Sequence, residues 1–127
     1  MSNLAEALNR AFISITGDLR RAEAVLRFSP GDFFFEGHFP GAPVLPAFVQ
    51  IAAALELASR LLAAPQRLAE VTRAKFTSPA GPGRALRLAA TLESESRGRH
   101  KVRAGITDGD TLVCELVLRV EPQGPRA

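Results

Sequence analysis

The sequence predicts an α+β domain in which one long central helix is wrapped by a curved antiparallel β-sheet. Three observations lead there. The stretch AFVQIAAALELASRLLAA, residues 47 to 64, is apolar nearly all round, so other structure must cover most of its faces. Four later segments alternate apolar and polar residues with period two, as half-buried strands do. A chain of 127 residues with 46% hydrophobic content is long enough for one core and too short for two. A single domain over residues 1–121 is therefore expected, with residues 122–127 as a disordered tail.

The elements follow in order. LAEALNR has apolar residues at helical spacing and predicts a short amphipathic helix. FISITGD and RAEAVLRF alternate on either side of a turn between Gly17 and Arg20, which predicts a hairpin. Ser29, Pro30, Gly31 and Asp32 then interrupt the chain, and FFFE is a short apolar run. Pro46 suits a first helical turn and Pro65 a stop, which sets the central helix at about Pro46 to Ala64. RLAEVTRAKF, RALRLAATLES, HKVRAGIT and TLVCELVLRV are the four strands, separated by TSPAGPG, SRGR and DGD. Leu86, Leu88, Ala90 and Leu92 share one strand face, as do Leu112, Cys114, Leu116, Leu118 and Val120. A meander with one face on the helix is the economical arrangement.

Composition narrows the class. The start, MSNLAEALNRAF, lacks the basic-then-apolar order of a secretory signal. The longest apolar stretch is broken by Gln50 and Glu56 and falls short of the roughly 20 residues that a bilayer span needs. The single Cys114 cannot form an internal disulfide and sits in an alternating apolar strand, which predicts a buried, inert thiol and suits the cytoplasm. Net charge is +3, and the arginines lie mostly outside the central helix, so an anionic partner is expected. All eight aromatics are Phe, and six of them fall between Phe28 and Phe48, away from the main basic segments. That separation argues against single-stranded nucleic acid, whose binders interleave aromatic and basic residues.

The motif that carries chemistry is His38-Phe39-Pro40-Gly41-Ala42-Pro43-Val44-Leu45-Pro46, directly before the central helix. It closely resembles the signature of the hotdog-fold 3-hydroxyacyl-ACP dehydratases, in particular the dehydratase-like proteins of aryl-polyene and specialised lipid pathways, in which a Gln also follows early in the helix as Gln50 does here. The similarity of layout covers roughly residues 22 to 121. It implies a hotdog fold, a dimer in which the histidine of one subunit meets a helix residue of the other, and an acyl thioester on an acyl carrier protein as substrate.

The chemistry suits such a site. Removing water from a 3-hydroxyacyl thioester needs a base for the C2 proton and an acid for the departing hydroxyl. A neutral imidazole, with an ordinary pKa of about 6.5, can be the base, and a neighbouring carboxylic acid can be the acid. No cofactor and no metal is called for. The resemblance makes His38 the base and places a backbone N–H at Ala47, where the family usually has Gly, on the thioester oxygen. Gly41 and Phe39 of the signature and Ala52 of the helix fall in the substrate-binding region.

One departure is large. The family's carboxylate lies fourteen residues after the histidine, and that position is Ala52. Glu56, one helical turn further on the same face, is the substitute candidate for the acid; alternatively it pairs with Arg60 or forms a hydrogen bond within the site. Glu36 either orients His38 or lies at the surface. Phe33, Phe34, Phe35 and Phe39 either close an acyl tunnel or are ordinary core, and His100 reads as an exposed turn residue.

Four functions follow for comparison: a dehydratase, a half-catalytic hotdog subunit whose homologous partner supplies the missing carboxylate, a thioesterase, and an acyl-binding protein without chemistry. The histidine signature favours the first two. Arg67 to Lys75 or Arg97 to Arg103 is the expected docking surface for an acidic carrier protein.

Overall fold

The computed structural model describes residues 3–35 and 43–124. Helix α1 (Leu4–Ala11) is capped by Asn3, whose side chain accepts a hydrogen bond from the Glu6 amide at 2.9 Å. It leads into a hairpin of β1 (Phe12–Gly17) and β2 (Arg21–Leu26). The Asp18 side chain closes that hairpin by accepting from the Arg20 and Arg21 amides, and these bonds hold its carboxyl below the usual carboxylate range. The run Phe33–Phe35 forms a single 3₁₀ turn, with Phe34 and Phe35 buried beside Phe28. The central helix α2 spans Ala47–Leu61, three residues shorter at its C-terminus than expected. The difference lies at Ala63, whose positive φ of 55° ends the helix before Pro65 can.

Strands β3 (Gln66–Phe76), β4 (Leu86–Ser96), β5 (Arg99–Asp108) and β6 (Thr111–Pro122) complete a six-stranded antiparallel sheet. Its order is β1-β2-β4-β5-β6-β3, and this differs from a simple four-strand meander. Strands β4, β5 and β6 do form a meander, but β3 crosses to the far edge and pairs with β6, while β2 takes the free side of β4. A strand that enters directly from a helix lying on the sheet need not pair with its neighbour in sequence, and alternation alone does not specify the partner.

The core lies between α2 and the concave face. Val49, Ala53, Ala54, Leu57 and Ala58 of the helix are buried with Leu86, Leu88 and Ala90 of β4 and with Cys114, Leu116, Leu118 and Val120 of β6. The predicted strand faces are thus the core faces, with Leu92 and Leu112 partly covered at the margins. Cys114 is buried, and burial pushes its thiol up to about 11.

His100 departs from the sequence reading. It is the second residue of β5, partnered with Glu95 and Val120, and its Nδ1 is enclosed without a hydrogen-bond partner among the described residues. The turn is tighter than SRGR suggests, since Arg97 and Gly98, at φ 55° and 79°, make the whole reversal. The helix α2 is also less wrapped than expected. Phe48 is 51% exposed, and Ile51, Ala52 and Leu55 are only partly covered on the same side.

Candidate active site at the start of the central helix

Leu45 and Pro46 deliver the chain into α2. The Leu45 amide donates to the Ala80 carbonyl at 2.7 Å, which fixes the segment entering the helix to the loop after β3. Pro46 is the N-cap with extended backbone, and it offers no side-chain cap. Its carbonyl accepts from the Val49 and Gln50 amides at 3.1 and 3.2 Å. The Ala47 and Phe48 amides meet no acceptor among the described residues, and both residues are exposed. Free first-turn amides and the helix dipole favour a negative oxygen at this end.

The remaining sequence candidates divide clearly. His38, Phe39 and Gly41, together with Glu36, lie outside the described residues. Ala52 is on the part-covered side of α2, and Glu56 follows one turn later. The Glu56 carboxylate accepts from Arg60 Nε at 2.8 Å, with both side chains more than a third exposed. Arg60 in turn lies over the Phe12 ring at 4.9 Å. A shallow groove lined by Ala5, Glu6 and Asn9 of α1 opens beside this pair. Of the four phenylalanines weighed as tunnel or core, Phe34 and Phe35 are in the core and Phe33 is 39% exposed.

Sequence reasoning missed Asp32 as a buried group. It is 4% exposed; one oxygen accepts from the Ser29 amide at 3.0 Å and the other from Arg10 at 3.1 Å. The run Ser29-Pro30-Gly31-Asp32 marked a turn, but nothing in it told that α1 would fold over the carboxylate. Gln50 is also 4% exposed, and its Nε2 donates to the Leu45 carbonyl at 3.1 Å.

The basic segments named from sequence converge. Strand β6 runs between β3 and β5, and its Arg119 is placed opposite both Lys101 and Glu70. Ser96, Arg97, Arg99, Arg119 and Glu70 line one cleft on this face. Nearby, Glu121 accepts from Arg67 at 2.6 Å and from Arg99 at 2.9 Å, and these guanidiniums hold its carboxyl below the usual range. This face lies at the C-terminal end of α2, where Pro65 accepts from the Gln123 amide. The Ala47 and Phe48 amides are at the other end of a 15-residue helix, about 22 Å away along its axis.

A long helix seated on a six-stranded antiparallel sheet, with a histidine-and-proline signature running into helix amides that no described residue engages, defines a hotdog-fold protein of the 3-hydroxyacyl-ACP dehydratase type. The comparisons agree. The family model described as ApeI dehydratase, ApeI-like, matches residues 14–115, and the chain belongs to that family. It is 34% identical over 97 residues to the 3-hydroxyacyl-acyl-carrier-protein dehydratase FabZ of Chloroflexus aggregans, covering 71% of this chain and 67% of that one. To the FabZ of Lactobacillus helveticus it is 32% identical over 92 residues, covering 67% of this chain and 62% of the relative. Among solved structures, it resembles the dehydratase heterocomplex ApeI:P from Xenorhabdus doucetiae with a TM-score of 0.70 and 25% identity, covering 86% of this chain and 95% of that one.

Proposed function

We propose that this chain takes part in removing water from a 3-hydroxyacyl thioester carried by an acyl carrier protein, as one subunit of a hotdog pair. The neutral His38 imidazole takes the C2 proton. The C2–H electron pair becomes the new C2=C3 bond, and the C3–O bond breaks as an acid protonates the leaving hydroxyl. Negative charge that gathers on the thioester oxygen is met by the Ala47 amide at the start of α2. The observation that carries this reading is the first turn of α2, immediately after the signature, whose Ala47 and Phe48 amides meet no acceptor among the described residues.

The acid is the open role, and one observation favours a partner. Glu56 is the candidate within the chain, but its carboxylate is engaged by Arg60 Nε at 2.8 Å, in an i,i+4 pair more than a third exposed. Ala52, at the family's carboxylate position, is on the side of α2 that the fold leaves part-covered, next to the exposed Phe48. Strand β3 is an edge of the sheet and exposes Leu68, Val71 and Phe76. These apolar surfaces suit a second hotdog subunit, and a homologue bearing Glu or Asp would restore the pair of catalytic groups. The heterocomplex neighbour supports two unlike hotdog chains working together.

Hydration of a 2-enoyl thioester, the reverse reaction, tests the reading. His38→Ala is expected to abolish turnover in the competent assembly without unfolding the protein. Turnover that survives this substitution would end the proposal for His38. Glu56→Gln is expected to leave the rate within a few-fold; a loss of roughly 10²- to 10⁴-fold would make Glu56 the acid instead.

A further inference from the structure

Arg84 and Asp108 show what a closed ion pair looks like on this surface. Two guanidinium nitrogens meet the two carboxylate oxygens at 2.9 and 3.0 Å, so each group satisfies the other. The cleft lined by Glu70, Ser96, Arg97, Arg99 and Arg119, about 630 Å³, is assembled differently. Arg99 reaches Glu121 through Nε alone, and Glu121 is shared with Arg67. Arg119 stands 3.7 Å from Glu70, beyond hydrogen-bonding distance. The Arg97 and Lys101 side chains make no hydrogen bond or ion pair among the described residues. Arg67, Arg97, Arg99, Lys101 and Arg119 are thus set against only Glu70 and Glu121. Glu95 precedes Ser96 on β4 and so points to the other face, where it accepts from the Gly98 amide at 3.3 Å.

Two of these placements oppose folding. Ser96-Arg97-Gly98-Arg99 is a two-residue hairpin turn in which Arg97 has a φ of 55°. Gly or Asn takes that left-handed backbone with least strain, and arginine does not. Arg119 lies directly across from Lys101 in the β5–β6 ladder, and like charges so placed weaken a strand pair. Local folding accounts for neither feature, whereas an anion held in the cleft would offset both. Three guanidiniums with donors left over suit a group that has several oxygens and more than one charge. A carboxylate fills a single guanidinium fork; a phosphate monoester presents three oxygens and a charge of about −1.5 to −2 at pH 7.

We infer that this cleft is a phosphate-binding site, with Arg97, Arg99 and Arg119 on the phosphate oxygens and the Ser96 hydroxyl as a further donor. It lies at the opposite end of α2 from Ala47 and needs no part of the dehydratase chemistry.

The test titrates the full chain with inorganic phosphate, pantetheine 4′-phosphate and adenosine 3′,5′-bisphosphate while the arginine Nε–H signals are followed by NMR, with sodium chloride at matched ionic strength as the reference. Saturable shifts at Arg97, Arg99 and Arg119 are expected with at least one phosphate compound. Arg97→Asn should leave the thermal midpoint level or higher, because Asn accepts the left-handed backbone. It should nevertheless weaken binding by roughly 10-fold, as the loss of one charge-assisted hydrogen bond does. Arg99→Gln together with Arg119→Gln should abolish binding. Tighter binding of pantetheine 4′-phosphate would assign the site to a pantetheine arm, tighter binding of the bisphosphate to a nucleotide, and equal binding of all three to free phosphate. Shifts that sodium chloride reproduces, or that survive all three substitutions, would overturn the inference. So would a response to an acidic carrier protein lacking its phosphopantetheine with none to the phosphate compounds, since the cleft would then be a protein-docking surface.

Discussion

At the scale of single residues, Ala52 carries the sharpest question. Restoring a carboxylate at the family's position, by Ala52→Glu, is expected to give measurable hydration of a 2-enoyl thioester by the chain without a homologue. Failure of this variant in a folded protein, with carrier-bound substrates of several lengths, would mean that more than the carboxylate is missing. Cys114 supports a second prediction. Burial pushes its thiol up to about 11 from an ordinary value of 9.0, so above pH 9 the unfolded state loses a proton that the folded state retains. Stability contributed by the neutral thiol is therefore lost as pH rises from about 9 to 11. Cys114→Ala should flatten that alkaline limb in thermal melts, and a limb of unchanged slope would assign it to other groups. The native thiol should also resist alkylation at pH 8 and react after denaturation.

At the scale of elements, most of the architecture was legible. Alternation in RALRLAATLES and TLVCELVLRV identified both strands and the faces they bury, because a strand with one face on a helix repeats its burial every second residue. The place of β3 was not legible, because RLAEVTRAKF is exposed over most of its length and its pattern specifies no neighbour. For the site, the family resemblance supplied the signature's meaning and the expected carboxylate position at Ala52, and helical spacing supplied the Glu56–Arg60 pair. The burial of Asp32 and the grip of Gln50 on Leu45 are tertiary facts, set by where α1 and the loop after β3 come to rest. The first hairpin yields a prediction of its own. Gly17 has a φ of 159°, and a Cβ there would overlap the Arg21 carbonyl oxygen and crowd Ala22. Gly17→Ala should lower stability by about 1–3 kcal/mol, measurable by urea titration. Arg97→Gly, at a turn position with φ 55°, should be neutral or stabilising.

At the scale of the whole molecule, the proposed pairing with a second subunit is tested at the β3 edge, which no described strand covers, and on the part-covered side of α2. Val71→Lys together with Phe76→Lys should shift the protein toward monomer in light scattering, since charge on an edge strand opposes pairing. An unchanged oligomer would place the interface elsewhere. The two basic segments now form one face with Arg119, far from the α2 N-terminus of the same protomer. Charge reversal of Arg99 and Arg119 should weaken binding of an acidic carrier protein, and added salt should do the same. If reversal of Arg27 and Arg87 acts instead, the carrier docks at the end of the sheet where α2 begins.

The position of β6 also shapes how the chain reaches this structure. It is the last strand in chain order, yet it pairs on both sides, with β5 and with β3. The β3–β6 ladder joins Gln66 to Pro122 across more than fifty intervening residues, so β3 emerges during synthesis long before the one strand it pairs with among the described residues. Until β6 arrives, β3 has no described strand to pair with and part of the core face of α2 is uncovered, and pairing at such separation is slow because loop closure must come first. The interval before the last strand docks is when aggregation is expected to compete most with folding.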